Sequence, residues 1–340
     1  MPRLLEQNDK GIYCEIADVY IDPWRPVKKA FVTHAHADHA RPGSSRYVCV
    51  DSSREIIKHR LKTQNVDSLA FGETLMVNGV RFSFHPAGHI IGSAQIRVEY
   101  KGEVWVVSGD YKTEDDHLSG SFHPLKCNTF ITECTFGLPV FNWKNQDLVF
   151  NEMNSWWAEN SEAKRISFIS AYSLGKAQRV ISGLDPSVGK IYCHAAVQNI
   201  NDLARSQGFD IQNTQVLDIE MKKKDLEGAM IIAPPGFMNS KFMDRLKNIK
   251  TASASGWMNL RGARRRSSVD KGFVLSDHAD WQGLLSAIKD TGADSILVTH
   301  GYVNVFSKYL RHLGYNAQIL ETEYEGDETE LASTTSNEGI

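Results

Sequence analysis

An α/β fold is what the sequence predicts, and three observations predict it. Short apolar runs rich in β-branched and aromatic residues, such as Ala30-Phe31-Val32, stop abruptly at polar residues, as buried strands do at a loop. From about Asn142 such runs alternate with helical stretches, the pattern of a small parallel α/β unit inserted within a larger domain. Five histidines, His34, His36, His89, His278 and His300, fall at or just beyond predicted strand ends.

At 340 residues the chain suits one large domain or two smaller ones. Its 41% hydrophobic and 23% charged composition is that of an ordinary soluble protein. No long apolar run reads as a membrane span and no signal pattern opens the chain, so a cytoplasmic protein without membrane contact is expected. Five scattered cysteines without a Cys-x-x-Cys pair read as buried free thiols in a reducing compartment. The net charge of −3 misleads, because residues 321–340 hold seven acids and no Lys or Arg. That tail reads as disordered, and the remaining chain is net basic, with a dense patch at Arg261-Gly-Ala-Arg-Arg-Arg266.

Taken in order, Ile12 to Ile21 reads as hairpin strands, and Asp22 follows before a proline. A turn acid is one reading of Asp22; a carboxylate orienting a ligand histidine is the other. Phe31-Val-Thr-His-Ala-His-Ala-Asp-His39 then places four metal-capable side chains, His34, His36, Asp38 and His39, within six residues of one another, directly after a strand end. His34 and His36 project to one side while the chain is extended, and Asp38 and His39 turn elsewhere, so the segment can serve two adjacent metals. Mixed imidazole and carboxylate ligands suit zinc or manganese, and paired metals are the usual apparatus for attacking phosphodiesters. His89 lies on the glycine-bearing loop Pro86-Ala-Gly-His-Ile-Ile-Gly-Ser93 and fits as a further ligand. Asp110 ends the apolar run Val104-Trp-Val-Val-Ser-Gly-Asp110, where a bridging carboxylate would sit, and Glu133 ends Thr129-Phe-Ile-Thr-Glu133 likewise. Tyr172-Ser-Leu-Gly-Lys-Ala-Gln178 opens a helix, with Lys176 as a candidate phosphate seat but without P-loop spacing. Beyond the inserted unit, His278 and His300 each close a strand.

The order Asp22, His34-Ala-His-Ala-Asp-His39, His89, Asp110 resembles the metallo-β-lactamase fold. Glu133, His278 and His300 resemble the three extra motifs of the β-CASP nucleases, a family that includes RNA-processing nucleases and DNA-repair nucleases such as Artemis. Phe130-Ile-Thr-Glu-Cys-Thr-Phe-Gly-Leu-Pro139, Ala171-Tyr-Ser-Leu-Gly-Lys-Ala-Gln-Arg179 and Leu275-Ser-Asp-His-Ala-Asp-Trp281 are similar to the bacterial ligase-associated DNA exonucleases. The resemblance implies an αββα sandwich over residues 1–141 and 263–320, with a small β-CASP α/β domain inserted at 142–262 and a tail at 321–340. It implies two divalent metals, zinc foremost and manganese as the alternative. His34, His36 and His89 would hold one, Asp38, His39 and His300 the other, and Asp110 would bridge them. Asp22 would stand behind the ligands, His278 would protonate the leaving oxygen or bind the phosphate, and Glu133 would orient its ring. Ser173, Lys176, Arg264, Arg265 and Arg266 are the candidates for the nucleic-acid backbone. The expected activity is a metal-dependent DNA exonuclease acting on single-stranded or end-containing DNA, in one repair pathway with a DNA ligase and a helicase. A histidine at position 300 resembles the RNA-cleaving branch, so an RNA-processing nuclease using the same site is the alternative.

Overall fold

The structure, a computed structural model, describes residues 3–246 and 248–323. From residue 324 onward the expected acidic tail lies outside the described residues. The chain divides into two compact units: the chain up to Asn142 joined by the chain from His278, and the stretch from Trp143 to Asp277.

Two sheets build the first unit. Six strands run in the order Glu6–Asn8, Gly11–Cys14, Val19–Ile21, Lys29–Phe31, Arg46–Val50, Val66–Leu69, antiparallel at first and parallel from Val19–Ile21 onward. Seven strands run in the order Asn316–Ile319, Ser295–Gly301, Thr129–Cys134, Glu103–Val107, Ala94–Tyr100, Val80–Pro86, Thr74–Val77. Alternation decides which face is buried: Val80, Phe82 and Phe84, and opposite them Ala94, Ile96 and Val98, fill one core with Ile12, Val19, Ile21, Phe31 and Val48 of the other sheet. Phe31 bridges the layers, its ring 4.7 Å from Phe82 and 6.1 Å from Phe84. The opposite face of the seven-stranded sheet, through Val106, Phe130, Ile296 and Val298, is covered by Trp281, Leu284 and Ile288 of helix Trp281–Thr291 and by Phe306 and Leu310 of helix Val303–His312. Asp280 caps the first of these helices by accepting from the Gly283 N–H.

In the second unit a six-stranded sheet is parallel at every pairing, in the order Gln215–Val216, Ile191–Cys193, Met230–Ala233, Ile166–Ser170, Ile249–Ala254, Lys271–Phe273. Its central runs, Ile166-Ser-Phe-Ile-Ser170 and Met230-Ile-Ile-Ala233, are buried at every residue, as strands covered on both faces must be. The sequence expectation ended this unit at residue 262. The structure carries it to Asp277, because Lys271–Phe273 pairs with Ile249–Ala254 and completes the sheet. Helix Gln146–Glu162 lays Trp157 into the interior with its indole N–H on the Gly228 carbonyl at 3.0 Å. Trp157→Ala is expected to cost about 3–5 kcal/mol, read from the urea unfolding midpoint, since it leaves both a cavity and an orphaned carbonyl. Among the described residues no helix is long and apolar enough to cross a membrane.

Candidate metal centre

The site grows from strand ends of the first unit. Past Lys29–Phe31 the chain continues through Val32, whose N–H bonds the Val48 carbonyl, to Thr33 and His34. From the other sheet, Glu103–Val107 continues to Ser108, Gly109 and Asp110. Gly109 adopts φ +56°, and a Cβ there would lie 2.6 Å from the Thr33 Cβ, so only glycine lets the two strand ends close. That approach sets Asp110 among the histidines.

Asp110 is the hub. Its Oδ2 lies 3.5 Å from His34 Nε2, 3.5 Å from His39 Nε2 and 3.8 Å from His89 Nε2, and its Oδ1 lies 3.6 Å from His300 Nδ1. These separations exceed hydrogen-bond length. Asp38 Oδ2 is 3.5 Å from His39 Nε2, and His36 Nδ1 is 3.0 Å from His89 Nε2. Among the described residues four overlapping sets, each with ligand atoms within 4.8 Å of one another, could hold metal ions: His34, His36, His89 and Asp110; His34, Asp38 and His39; His39, Asp110 and His300; and Asp110, Glu133 and His278. His34 Nε2, His39 Nε2 and Asp110 Oδ1 are buried without a hydrogen bond. Orphaned buried polar atoms are costly, and a donor set of imidazoles around a carboxylate is what a divalent cation satisfies. The residues fit the group.

Supporting residues fix the ring directions. Asp22 accepts from His39 Nδ1 at 2.7 Å, from the Thr33 N–H at 2.8 Å and from the Thr33 hydroxyl at 2.5 Å, which turns His39 Nε2 toward Asp110. Glu133 takes His278 Nδ1 at 2.9 Å and also accepts from the backbone N–H groups of Tyr111 and Thr135. Both members of this pair are buried, and the His278 ring lies 4.5 Å from that of His89, at the edge of the cluster.

Electrostatics divide the histidines. Burial, aided by the charge on His39, holds His34 well below the ordinary histidine range, leaving a neutral ring with a free lone pair. For His39 burial acts downward, but Asp110, Asp38 and Asp22 outweigh it and lift the ring well above that range. Burial likewise works against the Asp110 carboxylate, yet His39 and His300 hold its pKa well below the ordinary carboxylate range. In the metal-free protein His39 is therefore a cation. Its stabilising contribution is full below the unfolded value of about 6.5 and is lost as pH rises through the raised folded value. Cation uptake at neutral pH must expel that proton. Calorimetric titration is expected to show proton release, seen as a binding heat that changes with the buffer's ionisation heat, and an affinity that strengthens as pH rises. Heats independent of buffer would contradict this charge assignment.

The five residues assigned to the nucleic-acid backbone all belong to the second unit. Ser173 is half-buried, with its carbonyl accepting from Gln178 Nε2. Lys176 corrects the expectation of a phosphate seat: it is 5% exposed and its ammonium is bound to Asp277 Oδ2 at 2.8 Å. The same carboxylate takes Arg179 Nε at 2.8 Å, so the lysine's charge is committed inside the unit. Arg264, Arg265 and Arg266 are exposed on the short helix Arg261–Arg266, with Arg264 also bonded to the Met258 carbonyl. Sequence reasoning gave no role to Thr33, Cys134, Arg179 or Asp277. Cys134, Arg179 and Asp277 lie in the motifs 130–139, 171–179 and 275–281 and were within reach; Thr33 shows only as a polar residue between a strand and the first histidine.

No family model matches the chain. It is 28% identical over 311 residues to a protein of Opitutus terrae named a probable DNA ligase, a match covering 90% of this chain and 30% of that one. It is 38% identical over 124 residues to endoribonuclease YSH1 of Saccharomyces cerevisiae, covering 35% of this chain and 15% of that protein. With cleavage and polyadenylation specificity factor 73 of Drosophila melanogaster it shares 27% identity over 176 residues, 48% of this chain and 25% of the other. The chain thus spans at most 30% of the length of these three relatives. A crystal structure of a protein of unknown function from Enterococcus faecalis V583 has a TM-score of 0.59 at 11% identity, covering 88% of this chain and 80% of that one, a likeness of fold alone.

Proposed function

We propose that this chain, a relative of the β-CASP nucleases of the metallo-β-lactamase fold, is a divalent-metal phosphodiesterase that shortens DNA from an end. On this reading the first unit is the αββα sandwich and the second the inserted β-CASP domain. The observation that carries it is the Glu133–His278 pair lying beside the histidine cluster around Asp110. A metal cluster alone serves many hydrolases; a buried, carboxylate-held imidazole next to it adds a proton donor for a leaving oxygen.

His34, His36 and His89 would hold one cation and Asp38, His39 and His300 the other, with Asp110 available to both. When bound, the cations neutralise charge building on the phosphoryl group and acidify an attacking water. Zinc is the preferred occupant and manganese the alternative, since geometry and availability decide more than affinity does. Asp22 keeps His39 Nε2 pointed at the cluster. Glu133, by accepting from Nδ1, leaves His278 Nε2 to deliver the proton to the leaving oxygen. Arg264, Arg265 and Arg266 supply positive charge toward the phosphate backbone.

DNA is favoured because the match that covers 90% of the chain is to a protein named as a DNA ligase, which also supports a ligase as pathway partner. RNA cleavage is the second reading, favoured by His300 and by relatives named as endoribonucleases. Purified chain with zinc or manganese, given matched single-stranded DNA and RNA labelled at either end, separates them. Stepwise metal-dependent loss from DNA is expected and reveals polarity; cutting confined to RNA would replace this reading with the second.

A further inference from the structure

Strands Thr129–Cys134 and Ser295–Gly301 run parallel in register from Thr129 opposite Ser295 to Glu133 opposite Thr299, and then slip. Cys134 lies opposite Gly301, so His300 is an extra residue, and a bulge re-aims the side chain it carries. His300 takes φ +51°, a conformation that residues other than glycine seldom hold unless their surroundings impose it. Gly301 follows at φ +89°, where a Cβ would meet the Cys134 carbonyl oxygen at 2.4 Å and the Thr135 Cα at 2.5 Å.

Cys134 grips this bulge from both sides. Its thiol donates to the His300 carbonyl at 3.0 Å, and its own carbonyl accepts from the Tyr302 N–H at 3.1 Å. The side chain is fully buried. The outcome is an imidazole with Nδ1 3.6 Å from Asp110 Oδ1 and its ring 4.9 Å from that of His39. Glu133, the preceding residue, holds His278 from the same strand end, so one dipeptide steers two histidines that arrive from distant parts of the chain.

We propose that Cys134 is a positioning residue for His300: its thiol hydrogen bond holds the bulge that aims the imidazole at Asp110 and so sets the affinity of the metal position His300 serves. The inference rests on the two-cation reading above. A cysteine that only filled volume would be replaced better by valine than by serine, which brings a hydroxyl into a buried site. A cysteine needed as a donor makes the opposite demand.

The test titrates the metal-free full chain with manganese, counting free ion by electron paramagnetic resonance, with His300→Ala as the reference for losing that position. Cys134→Ala and Cys134→Val are expected to weaken the second equivalent about 10–100-fold while leaving the first within about threefold, and Cys134→Ser to hold both within about threefold of the unchanged chain. Wild-type affinities in the alanine or valine variant, or a serine variant as impaired as the valine one, overturn the proposal. Should Cys134→Ala fail to fold, the contrast between valine and serine decides on the same terms. An unchanged chain that takes up fewer than two equivalents overturns the two-cation reading and this inference with it, whereas two equivalents bound alike by every Cys134 variant sink only the inference.

Discussion

Asp110→Ala is expected to lower the rate of DNA hydrolysis more than about 10³-fold, beyond what one electrostatic contact contributes, because a single carboxylate belongs to three of the four ligand sets at the centre. His34, His39, His89 and His300 all face its oxygens, and of these His39 Nε2 also has Asp38 Oδ2 at the same 3.5 Å. Metal uptake should fall with the rate. The metal-free variant should also change: with the anion gone, His39 keeps Asp22 and Asp38 but loses its strongest upward influence, so its raised pKa drops. Asp110→Asn, of the same shape and without the charge, should repeat the loss, separating charge from packing. Initial rates on end-labelled DNA with metal analysis on the same preparations decide it. A variant retaining both cations and near-normal rates would end the role assigned to Asp110.

His278→Ala is expected to slow DNA cleavage by about 10²–10⁴-fold, the range for removal of a general acid. The loss should nearly vanish on a p-nitrophenyl phosphodiester, whose phenolate departs without a proton. Equal loss on both substrates would sink proton donation and leave phosphate binding as the role of that ring. Glu133→Gln should cost less, since an amide oxygen can still accept from Nδ1, but without its negative charge the imidazolium is less favoured and the alkaline limb of the pH–rate profile should move to lower pH. Because Glu133 also accepts from the backbone of Tyr111 and Thr135, its thermal stability must be measured alongside the rate.

The legible parts of this protein are those in which neighbours along the chain do the work. His34, His36, Asp38 and His39 share one loop, so their common purpose is written in six residues. Val80, Phe82 and Phe84 show their buried face by alternation alone, and Ile166 to Ser170 shows burial on both faces by its lack of alternation. Lys176 misled because a small-residue turn before a helix looks alike whether it cradles a phosphate or an aspartate, and that aspartate, Asp277, is remote in the sequence. The boundary at 262 failed for a similar reason: a three-residue strand, Lys271–Phe273, has too little pattern to declare which sheet it joins.

By itself the sequence determined which atoms are on offer: imidazoles and carboxylates at the ends of apolar strands, and a second α/β unit between Glu133 and His278. Only the tertiary structure decided how those atoms face one another. His278 meets Glu133 across 145 residues, and Cys134 holds the His300 carbonyl across 166. Local sequence sets the strand and the turn. The direction of a ring depends on a bulge, a left-handed backbone angle and a glycine at a point of contact, and these exist only once the two sheets have closed on each other.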